Sequence, residues 1–278
     1  MRIATWNVNS VLARLPRLVE WLEQAAPDVV CLQETKVGAD AFPADSVTPL
    51  GYAVAHHGEG RWNGVAVLSR VGLEDVTRGL PGDPGFPDEG TLEARTIAAT
   101  CGPVRVRSVY VPNGRTPSAP HYAYKLRWLA ALKDAVAADA AGSRPFALMG
   151  DFNIAPTDAD VWDPAVFVDS THVTPAERAA LAELRETGLT DVVPTIAKGP
   201  HPFTYWDYRA GAFHKNMGMR IDLVYANAAL AAAVSGAWVD REARKGKGPS
   251  DHAPVIVDLD DAPDGDIGPV VPPPSVRS

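Results

Sequence analysis

Seven side chains in this sequence have the chemistry of a phosphate-ester hydrolase: Asn7, Glu34, Asp151, Asn153, Asp222, Asp251 and His252. Oxygen donors dominate the set, and no cysteine cluster accompanies them. That composition suits a hard divalent cation, Mg²⁺ with Mn²⁺ as a substitute, and argues against zinc. One imidazole beside several carboxylates and amides fits metal-assisted attack of water on a phosphodiester. The cation polarises the phosphate, and a carboxylate aims or deprotonates the water. Amide and imidazole donors hold the charge that builds on the phosphoryl oxygens. Taken singly, each residue has an ordinary reading. Asn7-Val8-Asn9 and Asp151-Phe152-Asn153 suit turns, Glu34-Thr35-Lys36 suits a surface ion pair, and Tyr110 suits a core tyrosine.

Their positions in the chain change that reading, because each falls where an apolar strand meets a loop. Strands are expected over Ile3–Val8, Asp28–Gln33, Tyr52–Ala55, Gly64–Ser69, Ala94–Thr100, Val104–Val111, Phe146–Met149, Phe203–Tyr208, Ile221–Tyr225 and Pro254–Leu259. Helices are expected over Val11–Ala25, with Leu15, Leu18, Val19, Leu22 and Ala25 at helical spacing, and over Tyr122–Ala141. A third starts at Thr174-Pro175-Ala176-Glu177, which combines an N-cap, a proline at the first helical position and a capping-box glutamate, and it ends at Gly188. Strands apolar on both faces, joined partly by helices and partly by hairpins, predict an α/β fold. Its mixed sheets pack face to face with helices outside.

The chain has 278 residues, 46% of them hydrophobic and 22% charged, which excludes a disordered, collagen-like or coiled-coil protein. Two cysteines, Cys31 and Cys101, exclude a disulfide scaffold and favour a reducing, cytoplasmic setting. Cys31 lies in an apolar strand and reads as an inert core thiol. The first residues carry no basic head and apolar run, so no signal peptide is expected, and no membrane contact. The net charge of −8 does not exclude a nucleic-acid partner, since −4 of it lies in Asp258–Ser278 and several other acids resemble metal ligands. Residues 1–259 read as one catalytic domain. Residues 260–278, rich in Asp, Gly and Pro, read as a disordered tail.

The blocks that carry these residues resemble the exonuclease III family of bacterial DNA-repair nucleases and abasic-site endonucleases, within the endonuclease/exonuclease/phosphatase superfamily. They are Trp6-Asn7-Val8-Asn9, Leu32-Gln33-Glu34-Thr35-Lys36, Asn63-Gly64-Val65-Ala66, Tyr110-Val111-Pro112-Asn113-Gly114, Gly150-Asp151-Phe152-Asn153-Ile154-Ala155-Pro156, Arg220-Ile221-Asp222 and Ser250-Asp251-His252-Ala253-Pro254. They run in the family's order from Met1 to about Leu259. The resemblance implies a four-layer α/β sandwich and a Mg²⁺-dependent enzyme. Such an enzyme would remove nucleotides 3′ to 5′ from duplex DNA and cleave 5′ to abasic sites.

Residue by residue, the resemblance makes Glu34 the principal metal ligand with Asn7 beside it, and puts Asp151, Asn153, Asp251 and His252 around the same ion. Asp151 would align or deprotonate the attacking water, and Asn153 would fix that carboxylate. His252, held by Asp222, would donate to the phosphoryl oxygen. Tyr110 would donate its hydroxyl to the scissile phosphate, with Asn113 nearby. The resemblance leaves the general base open between Asp151 and His252. It also makes Tyr205, Trp206, Met219 and Ile221 an apolar slot for a flipped, baseless sugar, which costs less to extrude because no base pair is broken. Asn9, Lys36 and Arg115, with Arg61, Arg209 and Lys215, are candidates for contacts to DNA phosphates. The other histidines, His56, His57, His121, His172, His201 and His214, match no motif. The partner expected is duplex DNA with abasic sites or 3′ ends, bound by a monomer near the nucleoid. Competing readings are a small-molecule phosphoesterase of the same superfamily and an inactive lesion-binding protein.

Overall fold

The computed structural model describes residues 1–88, 90–196 and 201–260. The expected tail lies outside these residues, apart from Asp260. In chain order the elements are β1 (Arg2–Asn7), α1 (Val11–Ala25), β2 (Val29–Gln33), β3 (Ala53–His57), β4 (Val65–Ser69), β5 (Glu74–Arg78), β6 (Thr96–Cys101) and β7 (Val104–Tyr110). They continue with α2 (Pro120–Ala141), β8 (Phe146–Asp151), α3 (Pro175–Glu186), β9 (Thr190–Asp191), β10 (Asp222–Ala226), α4 (Ala228–Ala233), β11 (Val234–Val239) and β12 (Val255–Leu259).

The strands form two six-stranded sheets, ordered β11-β12-β1-β2-β4-β3 and β5-β6-β7-β8-β10-β9. Each sheet is built round one parallel pair, β1 with β2 and β7 with β8, and every other ladder is antiparallel. Parallel neighbours need a crossover, and α1 and α2 supply it.

Alternation along the strands explains the layers. On β2, Val29 and Cys31 face the interior between the sheets, while Val30 and Leu32 face α1. On β8, Ala147 and Met149 face that interior, while Phe146 and Leu148 face α2 and α3. The result is α/β/β/α, the four-layer arrangement expected. Cys31 and Cys101 both lie in the central layer as free, fully buried thiols, and burial raises the pKa of each. The Thr174 cap forms as read, with Thr174 and Glu177 exchanging side-chain-to-backbone hydrogen bonds.

One expected strand is absent. Residues 203–208 make only isolated bridges, Tyr205 to Met219 on one side and to His252 on the other. Phe203 and Thr204, adjacent in sequence, are both buried, which a regular two-sided strand facing solvent on one face would not allow. The Thr204 hydroxyl accepts from the backbone N–H of both Ile221 and Asp222, so the segment is pinned as a loop at the head of β10.

Candidate active site

Two parallel strand pairs end side by side and bring their polar termini together. Gly150 makes this possible on β8. Its φ is 150°, and a Cβ there would stand 2.0 Å from the Val109 carbonyl of β7, so only glycine lets Asp151 follow at that register. Gly64, with φ 95°, does the same for the loop after β2, where a Cβ would stand 2.1 Å from Thr35 Oγ1. Glu34, Lys36, Asn9 and Asn153 all adopt left-handed backbone, with φ of 53°, 53°, 44° and 51°. Such conformations cost energy and concentrate where a fold must aim a side chain.

Asn7 lies between the two halves. Its Nδ2 donates to Glu34 Oε1 at 2.8 Å and to Asp151 Oδ2 at 2.9 Å, while its Oδ1 accepts from the Asn9 backbone. Glu34 also pairs with Lys36 Nζ at 2.8 Å. Burial alone would push the Glu34 carboxyl up, but Lys36 and the Asn7 bond outweigh it and hold the pKa below its ordinary value. Asp151 is different. Burial pushes it up to about 7, with Asp222 and Glu34 adding to the rise and His252 and Asn7 opposing it.

His252 Nδ1 lies 2.7 Å from Asp222 Oδ2, and its Nε2 points toward Asp151 Oδ2 at 3.8 Å. Burial would lower the pKa of this imidazole. The Asp222 carboxylate and its hydrogen bond, with Asp151 and Asp251, outweigh that and bring it up to about 10, so the ring is an imidazolium near neutral pH. Asp222 and Asp151 face each other across the β10–β8 ladder, which explains why three acidic or imidazole groups crowd one spot.

Glu34, Asp151 and His252 each offer a ligand atom, and these atoms lie within 4.8 Å of one another. Two carboxylates, without thiolate, fit a hard divalent cation, and the imidazole could join them only after losing its Nε2 proton. Asp251 does not join this cluster. Its Oδ1 accepts from Asn9 Nδ2 at 3.1 Å and lies 3.4 Å from Ser250 Oγ. Asn153 is turned away too, with Nδ2 donating to the Val111 carbonyl and Oδ1 accepting from Asn113 Nδ2 at 3.1 Å. Tyr110 is half-buried at the end of β7. Burial first, then Glu34 and Asp151, raise its phenol pKa far above the ordinary value, so it remains a donor.

A cavity of about 730 Å³ adjoins this cluster, with Arg115, Trp162, Phe167, His172, Tyr205 and Met219 among its walls. The Tyr205 ring lies 4.9 Å from the His252 ring, which links cavity to cluster. Two residues expected to line the slot do not face it. Trp206 is fully buried in the central layer, where Arg241 covers its ring at 4.4 Å and Phe213 meets it edge-on. Ile221 packs under the wall with Ala155, Val161 and Met219. The space itself falls in the volume range of small-molecule pockets, about 300–1,000 Å³. His172, Trp162 and Phe167 were not anticipated as walls. They sit between β8 and α3, in loops and a short 3-10 helix (Pro164–Phe167), where no periodicity marks a residue.

Comparisons with known proteins agree with this architecture. The Endonuclease/Exonuclease/phosphatase family matches residues 4–252, and the chain belongs to that family. Among its relatives, the exodeoxyribonuclease III of Haemophilus influenzae is 30% identical over 266 residues, covering 92% of this chain and 98% of that one. The solved 3′-5′ exonuclease (NExo) from Neisseria meningitidis superposes with a TM-score of 0.88 at 40% identity, covering 94% of this chain and 100% of that one. The solved AP endonuclease from Archaeoglobus fulgidus gives a TM-score of 0.86 at 34% identity, over 94% of this chain and 99% of that one.

Proposed function

We propose that this protein is a DNA-repair nuclease of the exodeoxyribonuclease III type, which hydrolyses phosphodiesters 5′ to abasic sites and at 3′ ends of duplex DNA. The observation that carries the reading is the meeting of Glu34, Asp151 and His252 from three separate strand ends, within 4.8 Å, around the bridging amide of Asn7. The relatives named exodeoxyribonuclease III and AP endonuclease support the same substrate class.

In this reading Glu34, with Asn7 and Asp151 beside it, would hold Mg²⁺ or Mn²⁺, and His252, protonated at Nε2, would face the phosphate and not the ion. When bound, the ion polarises the phosphate and screens the charge that develops on it. Asp151 has a pKa of about 7, close to the working pH, which suits a group that aligns water and takes its proton. His252, kept charged by Asp222, donates through Nε2 to a phosphoryl oxygen. Tyr110 donates its hydroxyl to the scissile phosphate. Asn153 donates its backbone N–H to Asp151 Oδ1 at 2.9 Å and so fixes the direction of that carboxylate. Asn113 donates to Asn153 and stands exposed beside it for the phosphate. Asn9 and Asp251 support the metal-side loops through their mutual hydrogen bond.

Tyr205 and Met219 line the cavity beside His252 and receive the sugar at the cleaved position, with Trp206 and Ile221 as the packing behind them. Lys36 and Arg115 face backbone phosphates, which makes binding salt-sensitive and independent of sequence. Residues 1–259 act as one domain, as a monomer, in the cytoplasm beside the nucleoid. Among the described residues, no helix is long and apolar enough to cross a membrane.

The test is cleavage of a synthetic duplex carrying one abasic site, and of a blunt duplex labelled at its 5′ ends, in Mg²⁺ and in EDTA. Metal-dependent scission 5′ to the lesion and a 3′-to-5′ ladder are expected. No cleavage with any divalent cation, or faster turnover of a soluble phosphate ester than of DNA, rejects the reading.

A further inference from the structure

Beneath the loops that carry Asn113 and Asn153 lies a buried ion pair that none of the steps above uses. Lys125 of α2 and Glu177 of α3 are both fully buried, with Nζ 2.6 Å from Oε1. A lysine is rarely buried to this degree unless its three protons all find acceptors. Here they do. Nζ also donates to the Asn153 carbonyl at 2.8 Å and to the Asn113 carbonyl at 3.3 Å.

Glu177 is tied just as closely. Its Oε1 accepts from the His172 backbone N–H at 3.0 Å and lies 2.7 Å from Thr171 Oγ1, while its Oε2 accepts from the Thr174 N–H at 3.0 Å. Thr171 Oγ1 is in turn 2.9 Å from the Asn113 carbonyl, and His172 Nδ1 is 2.6 Å from the Asn153 carbonyl. A single ammonium thus joins the carbonyl of Asn113, exposed at the rim of the site, to that of Asn153, whose backbone N–H fixes Asp151, and its counter-ion anchors the loop that walls the cavity.

The second and third acceptors that the buried ammonium requires are the Asn113 and Asn153 carbonyls, so in satisfying itself the pair also ties these two loops together. Asn153 is held at φ 51°, a backbone conformation that its surroundings must enforce. We propose that Lys125 is a positioning residue, which sets the separation and orientation of Asn113 and Asn153 and thereby holds Asp151 in its productive direction. The inference rests on the hydrolase reading above.

Removing Lys125 alone would strand a buried carboxylate, so the experiment replaces both partners, Lys125→Met with Glu177→Gln, the glutamine keeping a capping acceptor for Thr174. Folding is checked by thermal melt, and kcat and KM are measured on the abasic duplex. The variant is expected to be folded at the assay temperature, with kcat about 10- to 100-fold lower and KM changed less than about 2-fold, because a small misplacement of an orienting group acts on the chemical step. In an Asp151→Asn background the same pair should lower the residual kcat by less than about 2-fold more, since the carboxylate it orients is gone while the backbone of Asn153 is untouched.

Thr171→Val, which removes only a hydroxyl, gives a milder form of the test, with kcat about 3-fold lower at unchanged KM. A folded pair variant or a Thr171→Val enzyme with the parent's kcat overturns the inference. So does a loss that multiplies undiminished onto Asp151→Asn. An unaltered protein that cleaves no DNA overturns the hydrolase reading and this inference with it.

Discussion

In β1-α1-β2 and β7-α2-β8 the chain builds the same device twice. Each is a parallel strand pair crossed by a helix, flanked by antiparallel strands on both sides and ending in polar residues at the same rim. The two devices differ in what they do to a carboxylate. The first ends in Glu34, with Lys36 two residues on at 2.8 Å, and its pKa is held down. The second ends in Asp151, buried at 1% exposure and opposite Asp222 on β10, and its pKa is driven up to about 7. One strand end therefore presents a permanent anion suited to holding a cation, and the other a proton acceptor near its working pH. Environment, not residue type, divides the labour between two acids.

The largest expected effect comes from exchanging each acid for its amide. Asp151→Asn keeps the shape and one acceptor oxygen for the Asn153 N–H, but it loses the acceptor for Asn7 Nδ2 and removes the base, and kcat should fall by about 10³-fold at any metal concentration. Glu34→Gln should act on the metal instead. The Mg²⁺ needed for half-maximal rate should rise by at least about 10-fold, with much of the rate recovered at high Mg²⁺. Metal titrations of both variants on the abasic duplex separate the two roles. Equal recovery of both by added metal would break the proposed division.

A smaller effect should appear in stability. Asp151 has a folded pKa of about 7 against about 3.9 in an unfolded chain, so the folded protein binds more protons between those values, and stability falls as pH rises through that window. His252, raised to about 10 from about 6.5, has the same sign higher up. Its contribution is complete below about pH 6.5 and is lost as pH climbs toward 10. Glu34, depressed, has the opposite sign and stabilises only above its ordinary range near pH 4.3. Melting temperatures in EDTA should therefore decline from pH 5 to pH 9, and Asp151→Asn should flatten the part below pH 7. Added Mg²⁺ should reverse the trend, because deprotonated ligands bind it best, by about 2.7 kcal/mol at a hundredfold excess over Kd. A parallel decline in Asp151→Asn would place the titration elsewhere.

How much of this was open to reading without coordinates follows the same division between strand and loop. The parallel strands and α1 were legible because both faces of β1, β2 and β8 are apolar and α1 has a strong helical period. The residues at their ends were legible because catalytic groups on strand termini come in short blocks. The cavity was not. The resemblance alone puts Trp206 on its wall, and the alternating aromatics of 203–208 read as a strand, yet Trp206 is buried in the central layer, Phe203 and Thr204 are both buried, and the segment is a loop. β5 and β9 escaped notice because their residues are mostly polar and half or more exposed, so only hydrogen bonding to a neighbour defines them. Glu177 reads as a capping glutamate, and no motif marks Lys125. That they meet in the interior is a fact of how α2 and α3 pack, 52 residues apart in the chain.

The smallest predicted effect tests whether the two crossover helices are equally finished. α1 begins at Ser10, whose hydroxyl accepts from the Ala13 N–H at a long 3.4 Å, so Ser10→Ala should cost only a few tenths of a kcal/mol, below the usual ~1 for a lost cap. α2 begins at Ala119, with φ −79° and ψ 148°, the backbone of a good N-cap but with no side chain to accept a bond. Pro120 already occupies the first helical position, where its missing N–H costs nothing. Ala119→Ser should therefore gain about 0.5–1 kcal/mol, which in a protein of this size raises the melting temperature by about 1–4 °C. Activity should be unchanged, because the cap lies outside the cluster of Glu34, Asp151 and His252. If the serine instead lowers the melting temperature, α2 is held by its packing in a position that leaves no room for a cap. The second crossover would then differ from the first in how its helix starts as well as in how its carboxylate is charged.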